Sequence, residues 1–218
     1  QGRAARRAGL PRFAHGRHRS TTQALIADSV LTRLTGFVLL LSSLLAAGDP
    51  VENLVLTDFD GRKHDPFAQA GTKAAVLVFV NVDCPIANFY QPTLRKLARK
   101  YEKQGVLFFQ IHADPDLSAK EAAKHALDFG VVSPGILDPK QKWARLYKAK
   151  VTPEAYLVVR DRTVAYRGRI DDTYAAYGKR RPEPTTRDLE AALTAVLAGK
   201  KVAVPRTEAV GCQILIED

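Results

Sequence analysis

Cys84 is the residue of this chain whose type and surroundings most clearly suggest chemistry. The stretch before it, VLVFVNV (76–82), is almost entirely apolar, which is typical of a strand buried on both faces of a sheet. Helical spacing of apolar side chains begins near Ile86, and Pro85 suits a first helical turn because proline has no N–H to leave unpaired. The sequence therefore predicts that Cys84 lies where a strand ends and a helix begins.

This position favours the thiolate, which is the reactive form of a cysteine. The free N–H groups and the positive dipole end of a helix stabilise a negative charge, whereas the neighbouring Asp83 opposes it through like-charge repulsion. In parallel α/β sheets, ligands also gather at the carboxyl ends of the strands. We interpret Cys84 as a nucleophile; a buried, unreactive thiol at a strand end is the alternative.

The residues from 49 onward alternate between predicted strands and helices. In chain order they form a hairpin within 53–66, strand 74–82, helix 86–103, strand 106–113, helix 118–130, a short helix 141–147, paired strands 154–159 and 163–170, a polar loop 171–186 and helix 187–198. Strands separated by helices indicate a parallel sheet, and the late strand pair adds antiparallel members. We therefore predict an α/β, thioredoxin-like fold: a central mixed sheet flanked by helices, with an N-terminal hairpin and a central insertion.

The first 48 residues differ in composition from the rest. Of the net charge of +10, residues 1–33 carry +6, from seven arginines against Asp28, so the remainder carries only +4. This distribution argues against a nucleic-acid partner. Residues 34–48 are apolar and end in Ala46-Ala47-Gly48, which is typical of a secretory signal peptide and short for a transmembrane helix.

We therefore divide the chain into a leader and one domain. Residues 1–48 are predicted to be a basic leader and signal peptide that ends near Ala47, or a membrane anchor if it stays uncleaved. Residues 49–218 are predicted to form the domain, with a C-terminal tail from 199, in the periplasm, in the cell envelope or secreted. Contact with a membrane is expected only through an uncleaved leader.

Four short motifs together resemble one protein family. They are CPIANFY (84–90), VTPEAYLV (151–158), YRGRIDDTYAAYGKRRPEP (166–184) and AVGC (209–212). With them, residues 51–212 resemble the redoxin branch of the thioredoxin-like superfamily, which includes the alkyl hydroperoxide reductase/thiol-specific antioxidant (peroxiredoxin-like) proteins. The motifs are most similar to those of envelope redoxin-domain proteins.

The resemblance implies an exported thiol oxidoreductase. Cys84 would attack a protein or small-molecule disulfide, or a peroxide. Pro85, Thr152 and Pro153 would position the substrate, with Pro153 in a cis-proline loop packed against the cysteine. The resemblance implies no bound cofactor, since the electrons would come from a partner thiol or reductase.

Cys212 is the second cysteine, and in a secreted protein two cysteines raise the question of pairing. Helix 187–198 would carry the chain roughly 20 Å away from Cys84. The tail from Gly199 to Cys212 has an extended reach of roughly 40 Å, so it is long enough to return. We predict that Cys212 is the resolving partner of Cys84; a free cysteine, or one that pairs with another chain, is the alternative.

The family pattern is incomplete in this chain, so three classes of function stay open. Ala87 stands where disulfide reductases carry the second cysteine of Cys-x-x-Cys, and Leu77 and Asn81 stand where peroxidases carry a proline and a threonine. The arginine that activates the peroxidases has no clear counterpart, although three arginines are available: Arg160, Arg167 and Arg169. A peroxiredoxin-like peroxidase is therefore one alternative, and a non-catalytic binding module or copper chaperone is the other.

The histidines add little support for a copper chaperone. His64, His112 and His125 are present, but thioredoxin-fold copper chaperones need two cysteines in one loop together with a histidine. We predict no metal site. The loop 171–186 is interpreted as solvated, and docking of a partner on its aromatic and arginine side chains is the alternative.

Overall fold

The computed structural model describes residues 53–216, so the predicted leader lies outside the described residues. Within this range the strands are β1 (Leu56–Thr57), β2 (Lys63–His64), β3 (Ala74–Val80), β4 (Val106–His112), β5 (Gly135–Leu137), β6 (Val151–Thr152), β7 (Glu154–Val159), β8 (Val164–Gly168), β9 (Tyr174–Ala176), β10 (Lys179–Arg180) and β11 (Cys212–Gln213). The helices of the same range are α1 (Pro85–Glu102), α2 (Ala119–Phe129), α3 (Lys142–Tyr147) and α4 (Asp188–Leu197). Over these residues, no helix is both long and apolar enough to cross a membrane.

A five-stranded sheet forms the centre of the domain, with the strand order β5-β4-β3-β7-β8. β4 runs parallel to β3 and to β5, whereas β7 is antiparallel to β3 and to β8. All seven residues of β3 are buried, because this central strand is covered on both faces. The mixed sheet with its flanking helices confirms the predicted thioredoxin-like architecture, and the pairing of β1 with β2 confirms the N-terminal hairpin.

Two hydrophobic cores lie on opposite faces of the sheet, because successive side chains of β3 point to opposite sides. Val78 and Val80 belong to the first core, which also contains Cys84 and the apolar faces of α1 and α4. Leu77 and Phe79 belong to the second core, which includes residues of α3 and β1. The cysteine therefore lies at the edge of the core that α1 covers.

Helix α2 begins and ends as predicted. The Ser118 hydroxyl oxygen accepts the N–H of Glu121 at 3.2 Å, and the Glu121 carboxylate accepts the N–H of Ser118 at 3.0 Å. This reciprocal pair is a capping box. Gly130 ends the helix with φ of +62°, a left-handed conformation that glycine adopts easily.

The predicted solvated loop over 171–186 is exposed at residues 175–180 but is not irregular throughout, because it contains the hairpin β9–β10. Two carboxylates hold the segment. Asp171 accepts the hydroxyl of Tyr90 at 2.7 Å, and Asp172 accepts the N–H of Thr185 at 2.7 Å.

The strands β5, β6 and β11 were not predicted either, since two or three residues are too few to show a period in the sequence.

Candidate active site at the end of strand β3

Cys84 lies at the junction of β3 and α1, as the sequence predicts. It is the N-cap residue of α1, with φ of −81° and ψ of 110°, and its sulfur accepts the N–H of Ala87 at 3.4 Å. Pro85 is the first residue of the helix. Cys84 is only 1 % exposed. Its sulfur therefore lies at the positive end of a helix and is shielded from water.

The segment with Thr152 and Pro153 meets Cys84 at this junction. The peptide bond between Thr152 and Pro153 is cis. The Thr152 carbonyl oxygen accepts a hydrogen bond from the Cys84 thiol at 3.0 Å, across 68 residues of sequence. The Glu154 carboxylate accepts the N–H of Lys150 at 2.9 Å and so closes the turn that contains the proline. The predicted contact between a cis-proline loop and Cys84 is present.

The C-terminal tail returns to the same place. Its strand β11 pairs with β6 in antiparallel orientation, with Cys212 opposite Thr152. The N–H of Ile214 donates to the carbonyl of Lys150 at 2.8 Å, which extends this pairing by one residue. The structure therefore brings the two cysteines together, although the strand pairing that achieves this was not predicted.

The two cysteines are free thiols, and the strand pairing places Cys212 opposite Thr152, whose carbonyl oxygen contacts the Cys84 sulfur. Burial acts to raise the pKa of Cys84, but hydrogen bonds from the Cys212 thiol, the Thr152 side chain and the Ala87 N–H outweigh burial, so this pKa is lowered. Burial and the contact with Cys84 raise the pKa of Cys212 to about 12. Cys84 therefore ionises first, which is expected of the attacking member of a thiol pair.

We expect the pKa of Cys84 to lie below that of a free cysteine, about 8.5. In a Cys212→Ala variant the pKa of Cys84 should rise, because one hydrogen bond to its sulfur is lost. In a Cys212→Ser variant it should stay lower than in Cys212→Ala, since the hydroxyl still donates. Alkylation by iodoacetamide against pH measures the midpoint; a midpoint above 8.5 in the wild-type protein would show that the thiol is structural.

The family of the chain follows from the sequence around this site. The model of the AhpC/TSA family matches residues 47–167, which is more than half of the 218 residues. The chain belongs to the AhpC/TSA family. This confirms the redoxin resemblance that the cysteine and proline motifs carried.

Solved structures similar to this AhpC/TSA protein include two of unassigned function. A hypothetical protein from Sinorhizobium meliloti 1021 shares 28 % identity over 78 % of this chain and 94 % of its own, with a TM-score of 0.68. An uncharacterized conserved protein from Geobacillus kaustophilus shares 29 % identity over 79 % of this chain and 93 % of its own, with a TM-score of 0.67. A protein from Chlorobium tepidum, provisionally named thiol:disulfide interchange protein DsbE, shares 21 % identity over 70 % of this chain and 99 % of its own. Its TM-score of 0.55 confirms the fold. No curated protein matches the chain.

The positions at which this AhpC/TSA protein departs from its relatives' patterns have structural roles. Ala87 is buried, and its N–H bonds to the Cys84 sulfur. Leu77 lies in the core on the face of the sheet opposite to Cys84. Asn81 accepts the N–H of Asp83 at 2.8 Å and so shapes the loop before the cysteine. The second thiol beside Cys84 therefore comes from the tail rather than from the first turn of α1.

The three arginines considered as activating residues have contacts of their own. Arg160 donates to a backbone carbonyl at 2.9 Å, and Arg169 forms an ion pair with Asp188 at 2.8 Å. The guanidinium of Arg167 lies 5.9 Å from the centre of the Tyr156 ring. The hydrogen bonds that lower the pKa of Cys84 come instead from Cys212, from Thr152 and from backbone N–H groups.

The three histidines do not converge on one point. His64 is hydrogen-bonded to Asp58 at 2.8 Å in the β1–β2 hairpin. His112 and His125 lie close to each other, with ring centres 6.3 Å apart. Among residues 53–216, no group of three histidine, cysteine, aspartate or glutamate side chains could hold a metal ion. The structure therefore adds no support for a copper chaperone.

Two residues that position the site were not singled out from the sequence. The Asn88 side chain donates to the Val82 carbonyl at 2.8 Å and contacts His125 at 2.7 Å, which ties the loop before Cys84 to α1. Glu154 closes the cis-proline turn. Asn88 lies in the motif CPIANFY and Glu154 in the motif VTPEAYLV. Their positions close to Cys84 and Pro153 in the sequence could have identified them as site residues.

Proposed function

We propose that this protein is an exported thiol–disulfide oxidoreductase of the redoxin type, with Cys84 as the nucleophile and Cys212 as the resolving cysteine. The observation that supports the proposal most directly is the pairing of β11 with β6, which places Cys212 opposite Thr152, the residue whose carbonyl oxygen contacts the Cys84 sulfur. A cysteine with a lowered pKa beside a second thiol is suited to exchange with a disulfide. Membership of the AhpC/TSA family agrees with this chemistry.

In the reducing direction, the exchange takes two steps. The Cys84 thiolate attacks one sulfur of the substrate disulfide; a bond between Cys84 and this sulfur forms, the substrate S–S bond breaks, and the other sulfur leaves as a thiolate that takes up a proton. The Cys212 thiol then loses its proton and attacks the Cys84 sulfur, which releases the second substrate thiol. Two electrons pass from the dithiol to the substrate.

We assign roles in these steps to the residues around the thiols. The Thr152 carbonyl, which accepts from the Cys84 thiol, lies beside the sulfur that reacts, and we assign the cis Pro153 that follows it to the wall of the site. Pro85 begins α1 and has no N–H to leave unpaired, and the Ala87 N–H is directed toward the sulfur. No bound cofactor is needed, since a partner thiol would reduce the Cys84–Cys212 disulfide for the next cycle.

Reduction of a peroxide is the second candidate function, which the AhpC/TSA family favours. The Cys84 thiolate would attack a peroxide oxygen, the O–O bond would break to give a sulfenic acid and an alcohol or water, and condensation with Cys212 would release water. Because Leu77 and Asn81 replace the proline and threonine of the peroxidases, we expect this reaction to be slower than exchange with a disulfide.

Stopped-flow measurements on the reduced full-length chain test the proposal. We expect a larger second-order rate constant with a small disulfide, such as hydroxyethyl disulfide, than with hydrogen peroxide. Non-reducing peptide mapping of the product should show a bridge between Cys84 and Cys212. A faster, saturating reaction with peroxide would favour the peroxidase over the disulfide oxidoreductase. Lack of reaction with either oxidant would favour a binding module.

Export is the part of this proposal that concerns the leader. The basic and apolar pattern of residues 1–48 supports it. A disulfide between Cys84 and Cys212 would persist in the periplasm, in the cell envelope or outside the cell, where the surroundings are oxidising.

A further inference from the structure

The tail lies over the reactive sulfur. Cys84 is 1 % exposed, and Cys212 of the tail pairs with Thr152, whose carbonyl oxygen accepts the Cys84 thiol at 3.0 Å. The tail strand β11 also occupies the edge of β6, which ends in Thr152 beside Cys84. A substrate that reaches Cys84 along this edge must therefore take the place of residues 211–213.

The tail is attached to the domain on both sides of the short strand β11. Upstream, Thr207 donates its N–H to the Arg167 carbonyl at 3.0 Å, and Arg167 donates to the Pro205 carbonyl at 3.0 Å. Downstream, the Gln141 side chain donates to the Leu215 carbonyl at 2.6 Å. β11 has only two residues, of which Gln213 is exposed and Cys212 is partly buried. Val210 and Cys212 pack against the core but are only partly buried there, so we expect this short strand to leave β6 more easily than a strand of the central sheet leaves its neighbours, within the folded domain.

Gly211 lies directly against the backbone of the site. A Cβ atom at this position would lie 2.0 Å from the Thr152 carbonyl oxygen and 2.6 Å from the carbonyl carbon. These are backbone atoms of the cis-proline turn, which Glu154 holds closed, so they have little freedom to move. The position before Cys212 therefore accepts glycine but no residue with a side chain.

We propose that residues 211–213 are a tethered occupant of the substrate site, and that a protein substrate displaces them with an extended segment in which glycine precedes the reacting cysteine. The inference rests on the proposed function, since it concerns the partner of the same Cys84. A strand that replaces another strand restores the backbone hydrogen bonds to β6, so the exchange conserves polar contacts. The missing side chain before the cysteine then determines which substrates fit.

The chemical step is the first exchange described above. The Cys84 thiolate attacks the sulfur of the substrate cysteine that follows the glycine, the bond of this sulfur to its former partner breaks, and that partner leaves as a thiolate. When the bound segment departs from β6, the tail returns and Cys212 attacks the Cys84 sulfur. Binding of the substrate and resolution by Cys212 therefore alternate at one place.

A peptide series on the reduced wild-type chain tests the specificity. Two peptides differ only in Gly-Cys against Ala-Cys, and each cysteine carries a 5-thio-2-nitrobenzoate group as a disulfide. Release of this group is followed by its absorbance. We expect the Gly-Cys peptide to react at least about tenfold faster, because an added methyl group against fixed backbone is strongly unfavourable. Equal rates for the two peptides, with rapid reaction of both, would overturn the inference and leave the proposed function intact. Lack of reaction with both would contradict the proposed function itself.

A variant of the chain tests whether residues 211–213 occupy the substrate site. We expect Gly211→Ala to displace the tail and to increase the rate of Cys84 alkylation by iodoacetamide at least about fivefold, compared at a pH where Cys84 is ionised in both proteins, as followed by peptide mapping. The matched control is Gly178→Ala in the β9–β10 hairpin, where an added Cβ would have no neighbour within 4 Å. Equal alkylation rates in folded Gly211→Ala and wild-type protein would contradict the proposal. If Gly211→Ala does not fold, the peptide series decides.

Discussion

Replacing Cys84 by serine is expected to reduce the rate of disulfide reduction to that of the uncatalysed exchange, a loss on the order of a thousandfold or more. The thiolate is the nucleophile in the proposed mechanism, and a serine hydroxyl does not attack a disulfide at neutral pH. The fold should survive, because serine is a favoured N-cap and its oxygen would accept the Ala87 N–H as the sulfur does. The rate of thiol release from a protein disulfide measures the effect, and a urea unfolding curve checks the fold.

The matched variant Cys212→Ser separates the two cysteines. It should retain the first step and accumulate a covalent adduct between Cys84 and half of the substrate, which intact-mass spectrometry detects. A Cys84→Ser protein that keeps more than a tenth of the wild-type rate would show that Cys84 is not the nucleophile. A Cys212→Ser protein that turns over at the wild-type rate would show that an external thiol resolves the intermediate.

Acidification is expected to destabilise the protein through His112. This side chain is buried at the end of β4, and its Nδ1 atom has no hydrogen-bond partner. Burial, together with the charge of His125, lowers the pKa of His112 to about 4, from about 6.5 in an unfolded chain. The unfolded chain therefore binds a proton more readily than the folded one. The free energy of unfolding should be fully retained above pH 6.5 and should fall by about 3 kcal/mol as the pH decreases to 4.

Urea midpoints between pH 4 and pH 7.5 measure this loss. A His112→Leu variant should lose much of the pH dependence, and a His125→Gln variant should lose less of it, since burial is the larger cause. The control is Phe109→Leu, a buried substitution in the same strand whose effect should be equal at every pH. A pH dependence unchanged in His112→Leu would show that other groups determine acid stability, the carboxylates of Asp58 and Asp172 among them, whose pKa values are also lowered.

Features that depend on neighbouring residues could be predicted from the sequence. The apolar run before Cys84, together with Pro85, determines where the strand ends and α1 begins, and the observed helix starts one residue earlier than predicted. The capping box of Ser118 and Glu121 is likewise a local pattern that the structure reproduces. The thioredoxin-like order of strands and helices followed from such local predictions, because few sheet topologies accommodate them.

Features that depend on long-range pairing could not be predicted in the same way. The contact of Cys212 with Cys84 depends on the register of β11 against β6, and two residues carry no periodic signal. The length of the tail showed only that a return was possible. The hairpin β9–β10 is held by carboxylates that contact residues distant in sequence, such as Tyr90. Such contacts become visible only when the chain is folded.

The sulfur of Cys84 is also the cap of α1, and this dual role constrains how the position can change in evolution. A descendant that no longer needed the thiol would still need an acceptor for the Ala87 N–H. Alanine there would cost about 0.5–2 kcal/mol of stability, whereas serine, aspartate or asparagine would preserve the cap. Selection for stability alone would therefore favour a polar residue in lineages that had lost the redox reaction. A serine at this position in a homologue would be a relic of the helix cap, and it would not indicate hydroxyl-based catalysis.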